Sequence, residues 1–203
     1  MATQLLLDGF DNLPGPTDRL FFAIRPDDEA AARIERLVER LRIASGLTNR
    51  PITRDRLHIT LFWLGDHFGL PQKYVDLLHL AAAQVGTDTA PFDVEFDRVE
   101  YFGRRADNKP LVLRAAPAAP GLAALGAFRE SLGAAIGFSE AKRRATNFTP
   151  HVTLLYDTPP VARQVVHRIG WPVREFFLVH SLLGRSRHEV LGRWTLSDEL
   201  PAR

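Results

Sequence analysis

Two segments of the sequence each place a histidine and a threonine two positions apart inside an apolar run. The first pair, His58 and Thr60, lies in LHITLFWLG, and the second pair, His151 and Thr153, lies in PHVTLLYD. Because side chains alternate across a β-strand, the two residues of each pair share one face. Two such strands facing a common cavity would therefore supply two imidazoles and two hydroxyls.

This set of groups suits the cleavage of a phosphodiester. The hydroxyls donate hydrogen bonds to the non-bridging oxygens, a neutral imidazole accepts the proton of the attacking group, and an imidazolium protonates the leaving oxygen. Histidine suits both proton transfers because its unperturbed pKa, about 6.5, lies near working pH. Such a site needs no metal ion, and we expect none.

The string His-x-Thr is weak evidence by itself. With 7 histidines, chance gives about 0.4 matches in a chain of this length, and a pair of hydrogen-bonded core histidines is the competing explanation. The context strengthens the signal. Both copies read His-Ile/Val-Thr-Leu, both lie in apolar strands, and both follow an amphipathic helix at a similar distance, as in a half-repeat.

The composition is that of a globular protein. Of 203 residues, 45% are hydrophobic and 25% are charged, and no apolar run approaches the roughly 18 residues of a membrane helix. The absence of cysteine excludes disulfides, zinc ribbons, iron–sulfur clusters and thiol nucleophiles. The first ten residues lack the features of a secretory signal. We therefore expect a cytoplasmic protein that does not interact with membranes and is a monomer.

Arginine dominates the basic residues. Lysine occurs only at Lys73, Lys109 and Lys142, so arginine supplies 23 of the 26 basic residues, and the net charge is +2. The planar arginine fork suits phosphate, although a GC-rich genome would give the same bias. The nearly neutral charge argues against a protein that binds long duplexes and is compatible with a local phosphate site.

The hydrophobic patterns predict an α+β fold. Residues 1–18 are expected to form a leader, and residues 19–203 a single catalytic domain of two lobes. In the second and third helices, the faces expected to be buried carry Tyr74, Leu78, Ala81 and Val85, and Leu125, Phe128, Leu132 and Ile136. The predicted strands cover 19–26, 56–65, 92–102, 111–115, 150–157, 173–184 and 189–198, and the predicted helices cover 27–46, 71–86, 122–137 and a short segment near 160–170.

Four segments together resemble the 2H phosphoesterases, specifically the LigT-like RNA 2′,3′-cyclic phosphodiesterases, which are also named 2′-5′ RNA ligases. They are RLFFAIRP, LHITLFWLG, FTPHVTLLY and LVHSLLGRSRHEVLGRWTL, and the resemblance covers most of the chain. It implies two pseudo-symmetric lobes whose antiparallel sheets flank a central cleft. It also implies a substrate that is RNA with a 2′,3′-cyclic phosphate end, or a small cyclic nucleotide.

The resemblance further implies the roles of the four residues and the need for no cofactor. His151 would be the general base on water, His58 the general acid for the leaving 3′ oxygen, and Thr60 and Thr153 the groups that hold the phosphate. The cyclic phosphate would open to a 2′-phosphate, and 2′-5′ ligation would be the reverse reaction in vitro. Two alternatives stay open: a non-catalytic RNA- or nucleotide-binding module, and a phosphoesterase for a different small cyclic phosphate.

The sequence departs from the family pattern five positions after the second histidine, where the frequent arginine is replaced by Tyr156. Phe148, Trp63, Tyr101 and Phe102 could stack on a base. The remaining candidates for substrate binding are Arg54, Lys142, Arg143 and Arg144, together with Tyr156 and Phe148.

The other histidines form no metal-ligand spacing, and GRSRH lacks the second glycine of a serine nucleophile elbow. His79 and His167 are expected on helices, and the remaining histidines are His67, His180 and His188.

Overall fold

The computed structural model describes residues 15–103, 108–139, 148–158 and 161–197. Within these ranges the chain forms eight strands and three α-helices. In chain order they are β1 (Asp18–Ile24), α1 (Asp28–Ser45), β2 (Ile59–His67), α2 (Gln72–Thr87), β3 (Phe92–Tyr101), β4 (Lys109–Arg114), α3 (Leu122–Ala135), β5 (His151–Asp157), β6 (Gln164–Val173), β7 (Glu175–Leu182) and β8 (Arg187–Thr195).

The strands form two four-stranded antiparallel sheets, as the predicted fold class requires. Their orders are β2-β1-β7-β8 and β5-β4-β3-β6, so β2 and β5 hold equivalent edge positions. The sheets approach each other along these two strands. The Asp157 carboxylate at the end of β5 fixes the segment that follows α1 by accepting hydrogen bonds from the backbone N–H groups of Thr48 (2.9 Å) and Asn49 (3.0 Å). Hydrogen bonds from backbone N–H groups lower the pKa of Asp157, and the bond from Asn49 has the largest effect.

The first helix lies within its predicted bounds, 27–46, and its ends and buried face are well defined. The Asp27 side chain caps it by accepting a hydrogen bond from Ala30 N at 2.8 Å. Gly46 ends it in the left-handed conformation, with φ of 63°. The apolar stripe that includes Ile34, Leu37 and Leu41 is buried, and the helix packs against β6 of the sheet β5-β4-β3-β6.

The second and third helices bury most of their predicted faces. In α2, Leu78 and Val85 are buried as expected, but the neighbours Val75 and Ala82 are buried instead of Tyr74 and Ala81. The buried face of α2 is therefore rotated about the helix axis relative to the predicted face. In α3, Leu125, Phe128 and Leu132 are buried, while Ile136 packs against the core only in part.

The short helix predicted near residues 160–170 is wrong, because Gln164–Val173 forms strand β6. Ile169, Trp171 and Val173 alternate into the core, a period of two that belongs to a strand. Pro172 is tolerated because β6 is an edge strand, paired only with β3. His167 accordingly lies on a strand and not on a helix.

A single large apolar cluster extends through both sheets and the three helices. Phe176 illustrates how the layers join, since its ring packs edge-on against Phe128 of α3 at 5.1 Å and parallel to Trp194 of β8 at 5.3 Å. The two lobes therefore share one core, and the cleft between them is lined by the opposite faces of the sheets.

Candidate active site

Both His-x-Thr pairs line one cavity of about 380 Å³ between the sheets. This is within the size range of small-ligand sites, roughly 300–1,000 Å³. The remaining lining residues come from β1, β2, β5, the loop before β2 and the β7–β8 hairpin. They are Arg19, Phe21, Ile52, Arg56, Trp63, Tyr156, Ser181, Leu182, Leu183, Gly184, Ser186 and His188.

The first histidine is held just before its strand. A 3₁₀ turn over Arg54–Arg56 precedes it, and β2 begins one residue after it, at Ile59. His58 Nδ1 lies 2.6 Å from the carbonyl oxygen of Arg56. A carbonyl only accepts hydrogen bonds, so Nδ1 carries the hydrogen and Nε2 is left to exchange a proton in the cavity. The Phe21 ring stacks on the imidazole at 4.9 Å.

The second histidine repeats this arrangement. His151 Nδ1 lies 2.7 Å from the carbonyl oxygen of Thr149, again two residues earlier in the chain. The Phe102 ring stacks on the imidazole at 4.6 Å. In both lobes the same two contacts fix the tautomer and the ring plane, so in each ring Nε2 is the nitrogen that can exchange a proton.

An arginine lies beside each histidine, on the neighbouring strand or one residue beyond its end. Arg114 of β4 pairs in register with His151. Arg25 follows Ile24, the register partner of Ile59, and so takes the equivalent place beside His58. The symmetry of the site therefore includes a cation next to each imidazole.

These surroundings hold both histidines in the neutral form. Burial is the main cause that lowers the pKa of His58, to about 4, and the charges of Arg25, His151 and Arg56 act in the same direction. Burial and the charge of Arg114 lower the pKa of His151. Because both are neutral bases when the cavity is empty, the negative charge of a bound phosphate is what would allow one of them to take up a proton.

A β-bulge follows each threonine and changes the face of the residues beyond it. Along β2 the register passes from Thr60 directly to Phe62, which leaves out Leu61. Along β5 it passes from Thr153 to Leu155, which leaves out Leu154. The extra residue reverses the alternation of side chains. The fifth residue after each histidine therefore faces the cavity instead of the core.

The two residues that these bulges bring into the cavity are Trp63 and Tyr156. Their exposed fractions are 55% and 44%. Asp66 accepts hydrogen bonds from Trp63 Nε1 at 3.2 Å and from Arg19 at 2.7 and 2.8 Å. The cavity thus has an aromatic rim on the side of β2 and β5, and the charge of Arg19 there is already paired.

The backbone carbonyl groups of the two extra residues, Leu61 and Leu154, accept hydrogen bonds from groups outside the sheets. Arg129 of α3 donates through Nε to Leu61 O at 3.0 Å, and the Ile52 N–H donates to Leu154 O at 2.8 Å. The Arg129 guanidinium lies between the rings of Phe62 (4.2 Å) and Phe148 (4.5 Å). Phe148, a predicted substrate contact, therefore packs on Arg129 and does not line the cavity.

The other predicted substrate residues divide into three groups. Tyr156 lines the cavity. Arg54 does not, because it is ion-paired with Glu35 on α1. Lys142, Arg143 and Arg144 lie outside the described residues.

Five polar residues of the lining were not among the predicted site residues, and they are Arg19, Arg56, Ser181, Ser186 and His188. Arg56 lies two positions before His58, so the alternation rule could have found it. Arg19 lies on β1. The other three come from the β7–β8 hairpin, and no local pattern relates that hairpin to the His-x-Thr motifs. His188 contacts His58 edge-on, with ring centroids 5.5 Å apart.

Within the described ranges, no group of three or more histidine, cysteine or acidic side chains is arranged to hold a metal ion. No helix in the same part of the chain is both long and apolar enough to cross a membrane.

Two antiparallel sheets that each present a His-x-Thr pair to one cleft define a 2H phosphoesterase. The chain belongs to the 2′-5′ RNA ligase superfamily, whose family model matches residues 26–185. It is 30% identical over 187 residues to the RNA 2′,3′-cyclic phosphodiesterase of Escherichia coli K12, covering 89% of this chain and 97% of that protein.

Solved structures agree with this assignment. Escherichia coli LigT complexed with ATP superposes with a TM-score of 0.68 at 26% identity, over 90% of this chain and 99% of LigT. LigT complexed with 3′-AMP gives 0.64 at 25% identity, over 91% and 100%. A protein of Thermus thermophilus gives 0.69 at 24% identity, over 88% and 97%, which shows the shared fold.

Proposed function

We propose that the protein is a metal-independent phosphodiesterase that opens 2′,3′-cyclic phosphates of RNA ends or nucleotides to 2′-phosphates. The observation that carries this proposal is the pair of imidazoles, each with Nδ1 on a backbone carbonyl and a threonine two residues later, on two sides of one cavity. The name of the Escherichia coli relative supports the same substrate class.

In the proposed reaction, the cyclic phosphate lies between the two pairs, and the hydroxyls of Thr60 and Thr153 donate hydrogen bonds to its non-bridging oxygens. His151 Nε2 takes a proton from water as the water oxygen bonds to phosphorus. The bond from phosphorus to the 3′ oxygen breaks, and His58 Nε2 gives its proton to that oxygen. His58 suits the acid role because its low pKa makes the imidazolium a strong acid. The negative charge of the bound phosphate favours that protonated form.

The aromatic rim supplies a place for the base. Trp63 and Tyr156 are exposed aromatic side chains in the cavity lining, and stacking on such rings is how proteins bind unpaired RNA bases. This feature favours a nucleoside cyclic phosphate over a small cyclic phosphate that lacks a base.

The decisive experiment measures hydrolysis of adenosine 2′,3′-cyclic phosphate and of a cyclic-ended RNA oligomer with and without EDTA. We expect turnover that survives EDTA, and a bell-shaped dependence of the rate on pH. His58→Ala and His151→Ala should each lower kcat by roughly a hundredfold or more, as loss of a general acid or base does. Full activity in both variants would refute the assignment.

The roles of the two histidines can be separated with a substrate in which sulfur replaces the bridging 3′ oxygen. A thiolate leaves without protonation, so this substrate should restore much of the rate of His58→Ala and none of the rate of His151→Ala. The reverse pattern would exchange the two assignments. Incubating RNA that ends in a 2′,3′-cyclic phosphate with RNA that has a free 5′-hydroxyl tests whether 2′-5′ ligation occurs, because that hydroxyl would replace water as the nucleophile and the 3′ oxygen would again leave.

A binding module without catalysis would instead show saturable binding of the cyclic nucleotide with no turnover. A phosphoesterase for another cyclic phosphate would prefer ADP-ribose 1″,2″-cyclic phosphate to cyclic-ended RNA. Measured side by side, these substrates separate both alternatives from the proposed reaction.

We also propose that residues 19–203 act as one bilobal catalytic unit, preceded by a leader, and that the enzyme is a cytoplasmic monomer. The described chain enters its sheet at Asp18, one residue before that boundary. The shared core supports one folding unit, and the absence of cysteine suits a reducing compartment. Light scattering of the purified protein tests the monomer.

A further inference from the structure

The side of the cavity formed by the β7–β8 hairpin carries polar side chains that form no hydrogen bond with any described residue. Ser181, Ser186 and His188 line this side, and the part of the chain that the structure describes offers no hydrogen-bond partner for their hydroxyls or ring nitrogens. Arg56 faces the same cavity without an ion pair to any described residue, and its buried Nε has no hydrogen-bond partner there. Four donors are therefore available to a ligand.

These groups lie next to the reaction centre but are not part of it. Ser181 and His188 are register partners on β7 and β8. The His188 ring contacts the rings of His58 at 5.5 Å and Phe21 at 5.4 Å, both edge-on. A group bound by His188 and Ser181 would therefore be an immediate neighbour of the phosphate bound between the two His-x-Thr pairs.

The charge on this side favours an anion. Of the two arginines that line the cavity, Arg19 is paired with Asp66, whereas Arg56 has no ion pair among the described residues. Burial and the charges of His58, Arg56 and Arg25 lower the pKa of His188 to about 4, while Asp55 opposes them. A negative ligand would offset these like charges, and hydroxyls beside an arginine are a common environment for phosphate.

We propose that Arg56, Ser181, Ser186 and His188 form a second phosphate subsite, which binds the phosphate on the 5′ side of the nucleoside that carries the cyclic phosphate. This inference rests on the proposed function and narrows its substrate class. The preferred substrate would be an RNA end, or a nucleoside cyclic phosphate with a 5′-phosphate, and not the plain nucleoside 2′,3′-cyclic phosphate.

The two sides of the cavity then have different partners. The aromatic rim of Trp63 and Tyr156 meets the base, and the hairpin side, which offers hydroxyls and an arginine, meets the phosphate. A base would leave the Arg56 charge without a counter-charge, whereas a phosphate pairs it.

The first test measures binding without turnover, by calorimetry of 2′-AMP and adenosine 2′,5′-bisphosphate. The 5′-phosphate should tighten binding roughly ten- to a hundredfold in the unmodified protein, as hydrogen bonds to charged groups do. Arg56→Ala should remove most of this advantage, and Ser181→Ala part of it. Circular dichroism and thermal unfolding verify that each variant is folded.

Arg185→Ala is the matched control, because Arg185 is an exposed residue of the same hairpin outside the cavity lining. It removes the same charge and should keep the advantage of the 5′-phosphate. Equal affinity for the two ligands in the unmodified protein would overturn the subsite. Equal losses in Arg56→Ala and Arg185→Ala would also overturn it, because the effect would then be one of net charge.

The second test compares kcat/KM for adenosine 2′,3′-cyclic phosphate with and without a 5′-phosphate. We expect the 5′-phosphate to raise kcat/KM and Arg56→Ala to reduce that ratio towards one. If no cyclic phosphate is hydrolysed but the bisphosphate still binds more tightly, the proposed reaction fails and the subsite stands. If hydrolysis proceeds with no effect of the 5′-phosphate in either test, the subsite fails and the reaction stands.

Discussion

Mild acid should destabilise this protein at a pH where its carboxylates are still ionised. The structure lowers the pKa of His58 to about 4, whereas a histidine in an unfolded chain has a pKa near 6.5. Between these two values the unfolded state binds a proton that the folded state does not. The free energy of unfolding is therefore highest above pH 6.5 and falls as the pH drops through this window.

The size of the effect follows from the two pKa values. Each pH unit per proton is worth about 1.36 kcal/mol, so the full window costs about 3 kcal/mol for His58. Between pH 7 and pH 5 the cost is about 2 kcal/mol. This interval lies above the ordinary pKa values of 3.8 for Asp and 4.5 for Glu, so most of the loss belongs to histidines.

Urea unfolding of the unmodified protein and of His58→Gln at pH 7 and pH 5 measures this contribution. The variant cannot titrate at this position, so its loss of stability between the two pH values should be smaller by about 2 kcal/mol. His167→Gln, at an exposed position on β6, should lose as much as the unmodified protein. If His58→Gln also loses as much, His58 is not held neutral, and the electrostatic account of the site is wrong.

Four further substitutions test the cavity rim, the bulge of β2 and the turn before α3. Trp63→Ala and Tyr156→Ala should each raise KM for cyclic-ended RNA roughly five- to a hundredfold, because each removes a stacking surface; an unchanged KM in steady-state kinetics would place the base elsewhere. Arg129→Leu should lower the unfolding free energy in urea by about 1–3 kcal/mol, because Leu61 O loses its donor. Gly121→Ala should lower the melting temperature, because its Cβ would lie 1.7 Å from Asp93 O and the residue has φ of 81°; equal melting would show that the turn can rearrange.

The alternation of side chains is sufficient to predict that each histidine faces the same way as its threonine. His58 with Thr60, and His151 with Thr153, face the same cavity, because two residues on one strand face need only a locally regular backbone. Family resemblance and hydrophobic period also predict both sheets. The hydrophobic period gives the wrong prediction for β6. Ile169, Trp171 and Val173 alternate as in a strand, but the more polar stretch before them favours a short helix when its local sequence is considered by itself.

The rim of the cavity could not be predicted from the same rule. Strict alternation places the fifth residue after each histidine on the core face, but the bulges at Leu61 and Leu154 reverse it. A bulge depends on what satisfies the extra carbonyl, and here the donors are Arg129 on a distant helix and the backbone of Ile52. That information is tertiary, so only the assembled structure contains it.

The bulges also place the same position of both lobes in the cavity. Because the fifth residue after each histidine faces the cavity, an arginine there would place a cation at the β2–β5 side, whereas Tyr156 makes that side aromatic like its counterpart Trp63. Among the described residues, the unpaired cation of the cavity lining is then Arg56, on the other side of His58. The two Nδ1 contacts and the two threonines do not depend on the residue at this position, because they precede the bulges in the chain. The residue type at this position can therefore set the charge of the β2–β5 side without moving the imidazoles and hydroxyls of the His-x-Thr pairs.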